Sequence, residues 1–538
     1  MKLWVSVCLL IGSTASGQGV ISSATPEATA AGAEIMKAGG NAVDAAVAVA
    51  FTLGVTEPAG SGVFGQTFLL IHPPDKKPFV INGTSYAPIK LPTKLAPVHI
   101  PGRRATTVPS TVRVLDFAFR KYGSGKVTWK QVLEPAIRCA EEGYKLGHFR
   151  HRSLMRYASR LLQDKQTTKM YLPNGKSTIP PAGTVMKLPQ LAKALRRLAE
   201  HGADDFYKGQ IAEDIAEDMK KNKGWITLQD LKSFPQPKVV EPLHDRYRGH
   251  DVYTLPPPTG GWVVLLSLNI LERAKKGQLA VEGSDSRVVW LAETLRVGHS
   301  QRADAPISNF QQYAKQVGDK IDDGTVDKLI KRMNLPKPRT SGGETTHFSL
   351  VDPDGMTVAV TASINAYFGA QVAHPKWGFL YNDYMNEFVI NQAKSPYNLK
   401  PRGMPYSSMS GTILARNGKP VLAVGSPGSQ RIISAVVQVI SHHVDVGKGI
   451  KAAVAAPRLH VVPDADLFLE GRGGRIPAAQ LLKLELRGYN VLRPLTSLYR
   501  GNLNPYFGGV HAVAKEKTGW EGGADPRRDG VVEKVTQK

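Results

Sequence analysis

Cysteine is nearly absent: the 538 residues hold two, Cys8 and Cys139. Cys8 falls in an N-terminal segment expected to be removed, which leaves one thiol and excludes an intramolecular disulfide or a CxxC metal site. Cys139, within EPAIRCAEEGY, reads as a small core residue of a helix rather than a nucleophile. There is no GxSxG elbow and no HExxH, so elbow-type serine hydrolases and zincins are excluded. The stretch GSGVFGQT at 60–67 mimics a phosphate loop, but Gln66 stands where the lysine must be. Close helix–strand packing explains those glycines better than a nucleotide does. His442 and His443 lie in a helical run and read as structural. No metal ligand set, metal or organic cofactor is implied.

Acidic residues are also in deficit, with 45 Asp and Glu against 69 Lys and Arg, a net charge of +24. Such a balance attracts polyanions. The cations are scattered, however, and no recognisable nucleic-acid module accompanies them, so a solvated basic surface is the expectation and nucleic acid is not a partner. After the N-terminus no apolar run is long enough to cross a bilayer. Residues 1–17, MKLWVSVCLLIGSTASG, read as a signal peptide: one lysine, a short apolar run, then small residues with Ala15 and Gly17 at the cleavage positions. A secreted, periplasmic or extracellular location is expected.

Composition is globular, with 42% hydrophobic and 21% charged residues. The length admits several average domains or one large α/β unit. Thr25 followed by Pro26 starts one helix, and Asn41 after Gly39-Gly40 caps a second, alanine-rich one. A strand is predicted at 67–73, a loop-rich stretch at 75–112, helices at 112–122, 128–143, 188–200 and 209–221, and an apolar helix within 252–271. Residues 303–343 are polar and weakly periodic, and predict an exposed, flexible stretch. At Thr345 the pattern changes to strand, turn, strand, with Asp352-Pro353-Asp354-Gly355 as the turn. A second strand pair is predicted at 411–425, then a glycine loop opening a helix, and a last hairpin near the C-terminus. Strands flanked by helices suggest stacked layers, although pattern alone also fits an open doubly wound sheet.

Two blocks carry chemistry. In SGGETTHFSLVDPDG a glycine-rich stretch ends at Glu344 and a strand begins with Thr345. A hydroxyl there suits attack on the Glu344 carbonyl, release of the Thr345 amine, and use of that amine as the base for its own hydroxyl. The Thr345-Thr346 pair equally fits an ordinary β-branched surface pair. In the second block, PYSSMSGTILARNGKPVLAVGSPGSQRIIS, a strand runs through Gly428 and Ser429 into a helix. Their N–H groups suit an oxyanion near a helix N-terminus, or a plain strand–helix turn. Ser407 and Ser408 offer two hydroxyls to a polar group.

The order of these motifs resembles the γ-glutamyltranspeptidase (glutathione hydrolase) family over nearly the whole chain. GNAVDAAVAVAFTLGVTEPAGSG, TLPPPTGGWVVLLSLNILE, TTHFSLVDPDG, PYSSMSGTI, GSPGSQRI and GGADPRRDG each match a family segment in sequence order. The resemblance implies a four-layer αββα N-terminal-nucleophile fold, with two sheets inside and helices outside. It implies a proenzyme cut between Glu344 and Thr345 into a large subunit, 18–344, and a small one, 345–538, together forming one domain. It implies Thr345 as nucleophile, Ser363 as its hydrogen-bonding partner, Gly428 and Ser429 as oxyanion hole, and Asn365, Tyr384, Glu387, Ser407 and Ser408 in the donor site. Three departures stand out: Glu387 replaces an aspartate, Tyr384 replaces a polar residue, and Thr84 stands where an arginine holds the donor's α-carboxylate, with Arg103 or Arg104 as substitutes from another direction. The expected substrates are small γ-glutamyl or related amides, with water or an amine as acceptor. The alternatives are an acylase or small-amide hydrolase and, outside enzymes, a basic binding protein.

Overall fold

In a computed structural model, the described residues are those from 17 to 536 apart from 93–94, 96–98, 173–177, 332–343, 463–465, 471–476, 493 and 495–502. The signal-peptide expectation therefore lies almost wholly outside the described residues.

Two antiparallel sheets are stacked face to face. The first has seven strands, in the order Val531–Thr536, Gln18–Ser23, Thr346–Val351, Thr357–Ser363, Gln66–His72, Phe79–Asn82 and Lys238–Val240. The second has six, in the order Gly519–Ala524, His511–Glu516, Lys419–Gly425, Thr412–Arg416, His250–Thr254 and Leu243–Tyr247. Side chains alternate between the two faces of a strand, and the packing follows that period. Phe68 and Leu70 join Val20, Val351 and Ala359 in the layer between the sheets, where they meet Ile413, Ala423 and Val513. Their neighbours Leu69, Ile71, Leu350 and Val358 face outward, against the helices Pro26–Lys37, Ala42–Thr56 and Thr111–Tyr122. On the opposite side Leu414, Leu422 and Val424 turn toward the helices Gly261–Glu272, Asp285–Asp304 and Arg431–Val444. The result is the four-layer αββα sandwich. Each sheet contains strands from both sides of the 344–345 bond, so neither segment completes a sheet alone.

The helix starts follow their capping chemistry. Thr25 Oγ1 accepts from the Ala28 N–H at 3.2 Å, with Pro26 at the first turn. Asn41 and Asp44 close a reciprocal capping box. Helices at Thr111–Tyr122, Trp129–Glu141, Pro189–His201 and Gln210–Lys221 lie where the periodicity placed them. Cys139 is half-buried on the second of these, and burial pushes its thiol up to about 11, which suits no nucleophile.

The 303–343 expectation needs correction. Residues Tyr313–Ile321 and Asp323–Lys331 are helical, and 332–343 lie outside the described residues. Val317 with Tyr313 and Ile321, and Val326 with Leu329 and Ile330, pack against the Gly261–Glu272 helix layer. They recur at i, i+3 and i+4 spacing, a narrow apolar stripe among many polar and basic residues. The strand Gln18–Ser23, directly after residues 1–17, was not anticipated either.

Candidate active site

Thr345 immediately precedes the central strand Thr346–Val351, and the Glu344–Thr345 peptide is buried, with the two residues 1% and 5% exposed. The adjacent strand ends at Ser363, which pairs with Gln66 on its other side. Antiparallel register thus brings the end of one strand beside the start of the next. Thr345 Oγ1 donates to Ser363 Oγ at 3.3 Å, and Ser363 Oγ donates to the Glu344 carbonyl at 2.8 Å. The Asn365 N–H donates to the same Ser363 oxygen at 2.8 Å. The hydroxyl that would attack is thereby linked, through one serine, to the oxygen that would take up negative charge.

The Glu344 backbone is held in place, its N–H bonding the Asn365 carbonyl at 2.6 Å. Asn365 has φ 76°, a left-handed conformation that asparagine tolerates better than most side chains. Gly60 packs beneath: a Cβ there would stand 2.8 Å from the Thr345 carbonyl oxygen, and the Gly60 carbonyl accepts from the Ile364 N–H. The glycines of GSGVFGQT therefore serve close backbone approach to the Thr345–Ser363 pair.

Charges surround the same bond. The Arg528 guanidinium, 3% exposed, reaches Glu344 Oε1 at 2.6 Å and Glu57 Oε1 at 3.5 Å, with its cation over the Phe149 ring. Glu57 in turn accepts from the Thr346 hydroxyl. Burial pushes the Glu57 carboxyl up to about 7, against the lowering effects of Arg528 and the Thr346 bond. Burial opposes the charge on Arg528, but Glu344, Tyr367 and Glu57 together hold it above its ordinary value. Tyr367 stacks on Tyr157 at 4.8 Å, and its phenol is pushed up by burial and by Glu344.

The remaining predicted residues lie on the 384–387, 405–408 and 425–429 segments. Tyr384 is buried between the sheets, near Ser363 and Gln66; burial drives its phenol upward. Glu387 is half-buried and hydrogen-bonds Asn365. Burial, then the like charge of Asp383, pushes its carboxyl up to about 7, while Asn365 and Arg302 oppose the shift. The Glu387 carbonyl accepts from the Tyr406 N–H at 3.4 Å, which ties Glu387 to the serine loop. In that loop the Ser407 N–H donates to the Pro258 carbonyl, and Ser408 Oγ accepts from Arg302 Nη2 at 2.9 Å. Gly428 and Ser429 have φ 120° and 56°, followed by right-handed Gln430 and the helix Arg431–Val444. Successive N–H groups in such alternating backbone form an anion-binding concavity at a helix start. The Arg431 guanidinium beside this loop stands 4.6 Å from the Tyr506 ring centroid.

Thr84 is buried, its hydroxyl donating to the Ser85 carbonyl, and Ser85 is bonded to Gln66 beside Ser363. The suggested substitutes do not replace it. Arg103 is committed to Asp218 at 2.6 Å and to the Ala373 carbonyl, and Arg104 is exposed. The sequence reading missed Glu57, Tyr367, Arg528 and Arg302. Glu57 and Arg528 sit inside matched segments, but nothing local shows that they meet one another beside the Glu344–Thr345 bond. Among the described residues no group of three or more histidine, cysteine or carboxylate side chains is arranged to hold a metal ion.

Comparison with known proteins bears on this geometry. The Gamma-glutamyltranspeptidase family profile matches residues 28–535. The chain belongs to that family. Among its relatives, the glutathione hydrolase proenzyme of Escherichia coli is 32% identical over 508 residues, covering 85% of this chain and 86% of that one. The glutathione hydrolase proenzyme of Pseudomonas aeruginosa is 32% identical over 541 residues, covering 93% and 91%. Among solved structures, the cephalosporin acylase from Bacillus halodurans is 26% identical with a TM-score of 0.85, covering 96% of each chain. Helicobacter pylori gamma-glutamyltranspeptidase is 29% identical with a TM-score of 0.53, covering 59% of this chain and 90% of that one.

Proposed function

We propose that this member of the family is a self-processing γ-glutamyltransferase and glutathione hydrolase that works through a threonyl acyl-enzyme. The observation that carries the reading is the Thr345–Ser363–Glu344 hydrogen-bond relay around a buried peptide bond. In processing, Thr345 Oγ1 bonds to the Glu344 carbonyl carbon. Its proton passes toward Ser363, and the Ser363 proton stabilises the oxygen of the tetrahedral intermediate. The C–N bond then breaks, the Thr345 nitrogen takes a proton, and water hydrolyses the resulting ester. The products are a Glu344 carboxylate and a free Thr345 amine, on a large subunit, 18–344, and a small one, 345–538.

In turnover that amine takes the proton of Thr345 Oγ1 as the hydroxyl attacks a γ-glutamyl amide, and returns it to the leaving amine. The Gly428 and Ser429 N–H groups receive the oxyanion. Water or an acceptor amine releases the acyl group. Glu387 holds the donor's ammonium, and Asn365, Ser407 and Ser408 hold its polar end. No metal or organic cofactor takes part in this scheme. The basic leader at 1–17 supports secretion or a periplasmic location, tested by the N-terminal sequence of protein recovered outside the cytoplasm.

A second reading, an acylase with another donor, is favoured by the departure at Thr84 together with the 0.85 TM-score likeness to a cephalosporin acylase. Release of p-nitroaniline from γ-glutamyl-p-nitroanilide distinguishes the two. Turnover supports the γ-glutamyl assignment; no turnover there, with release from the glutaryl anilide, replaces it with the acylase.

A further inference from the structure

Arg302 lies in the last turn of the helix Asp285–Asp304 and is 3% exposed. Its Nη2 donates to the Ser407 carbonyl at 2.8 Å and to Ser408 Oγ at 2.9 Å. Its Nε and Nη1 are buried and make no hydrogen bond with any described residue. The guanidinium carbon stands 4.0 Å from the Tyr406 ring centroid, and Tyr397 packs edge-on against Tyr406 at 4.5 Å. The charge of Arg302 also bears on Glu387, whose side chain leads through Asn365 and Ser363 to Thr345.

A buried cation without an ion pair is costly unless something compensates it. Arg528 is compensated by Glu344, and Arg527 by Asp525 and Glu470, whereas Arg287, 1% exposed, resembles Arg302 in bonding only a carbonyl and a serine hydroxyl; Arg302 differs in lying against the Ser407–Ser408 loop. Arg302 has an aromatic face, one carbonyl and one hydroxyl, but no carboxylate within ion-pair distance among the described residues. A rigid, pre-placed guanidinium of this kind is built to receive an anion, and a carboxylate matches its planar N–H geometry. It enters from the second sheet's helix layer, far along the chain from the Thr84 segment.

We propose that Arg302, with Ser408 beside it, is the cation that binds a carboxylate on the acyl donor, so that the pocket selects acyl groups bearing an acid at their far end. This rests on reading the space in front of Thr345 as the donor site. It does not require the donor to be γ-glutamyl.

The test uses the processed full-length enzyme and two pairs of p-nitroanilides. The members of each pair differ only in the carboxylate: γ-glutamyl against 4-aminobutanoyl, and glutaryl against butanoyl. Wild type should favour the carboxylate member of at least one pair by roughly a hundredfold or more in kcat/KM, since a site built for a polar group rejects the analogue lacking it. In Arg302→Gln that ratio should fall to roughly tenfold or less, mainly through KM. Arg302→Lys, which keeps charge but loses the planar fork, should fall between. It also carries the test if the glutamine variant does not fold. Lack of carboxylate preference in the wild type, or equal losses on both members of a pair, would overturn the proposal. Turnover of the glutaryl pair with a silent γ-glutamyl pair overturns only the γ-glutamyl reading, and Arg302 is then judged on the glutaryl ratio. Silence on all four anilides overturns both.

Discussion

Removing one hydroxyl, in Ser363→Ala, should separate the relay from the fold that carries it. Ser363 Oγ is the one side-chain oxygen that both accepts from Thr345 Oγ1, at 3.3 Å, and donates to the Glu344 carbonyl, at 2.8 Å. Without it, the attacking hydroxyl loses its acceptor and the carbonyl loses a donor aimed at developing charge. Loss of one such donor costs about 3 kcal/mol in the transition state, or roughly a hundredfold in rate. The Asn365 N–H also loses its acceptor, and a buried unsatisfied donor costs about 1–3 kcal/mol of stability. The assay is the time course of the uncut chain on denaturing gels after cell-free synthesis, beside urea unfolding of each variant. Cleavage should slow by roughly two orders of magnitude in Ser363→Ala. It should recover to within roughly tenfold of wild type in Ser363→Thr, which restores the hydroxyl on a stiffer side chain. Cleavage of the alanine variant at the wild-type rate would refute the relay. So would a folded threonine variant as slow as alanine.

Other outcomes follow from the same geometry. Glu387, pushed up to about 7, must be ionised to hold a donor ammonium. As pH falls below that value kcat/KM for γ-glutamyl-p-nitroanilide should decline, while the glutaryl anilide, which has no ammonium, should not follow it; Glu387→Gln should flatten the γ-glutamyl profile at a lower level. Arg528→Met leaves Glu344 and Glu57 buried without their cation, which should cost about 3–5 kcal/mol and be read as lost soluble yield or a lowered denaturation midpoint. Gly60→Ala pushes a methyl toward the Thr345 carbonyl, 2.8 Å from the new Cβ, and should slow processing on the same gels. Gly428→Ala forces a side chain to φ 120° and should lower turnover more than processing, because the N–H groups of that loop act on the donor's oxyanion.

The capped helix starts at Thr25 and Asn41 were legible because their chemistry is local. The layering was not: Leu69 and Leu70, like Val358 and Ala359, are apolar on both faces, so pattern also fitted an open doubly wound sheet and the resemblance implied the four layers. Thr345 stood out as a candidate because a hydroxyl at a strand start after a glycine-rich stretch is a short-range pattern, and the order of the other motifs supplied the role proposed for it. What escaped were residues whose meaning lies in a distant partner. Glu57 meets Thr346 across 289 positions, and Arg528 meets Glu344 across 184. Arg302 reads as an ordinary basic residue in a helix's last turn until the Ser407–Ser408 loop folds against it. The helices at Tyr313–Ile321 and Asp323–Lys331 escaped although Tyr313, Val317 and Ile321, and Val326, Leu329 and Ile330, recur at helical spacing, because the polar and basic residues between them dominate the stretch. The missing arginine at Thr84 was visible as a change, but the Arg302 proposed to take over its role was not.

The central claim is that Thr345 cuts the bond before it and then becomes the N-terminal nucleophile. Intact-mass measurement and N-terminal sequencing of wild type beside Thr345→Ala test it most directly. The account predicts a fragment spanning 345–538 that begins at Thr345 in the wild type, and an uncut chain in the alanine variant. A wild-type chain that stays whole on prolonged incubation, or an alanine variant cut at the same bond, would contradict it.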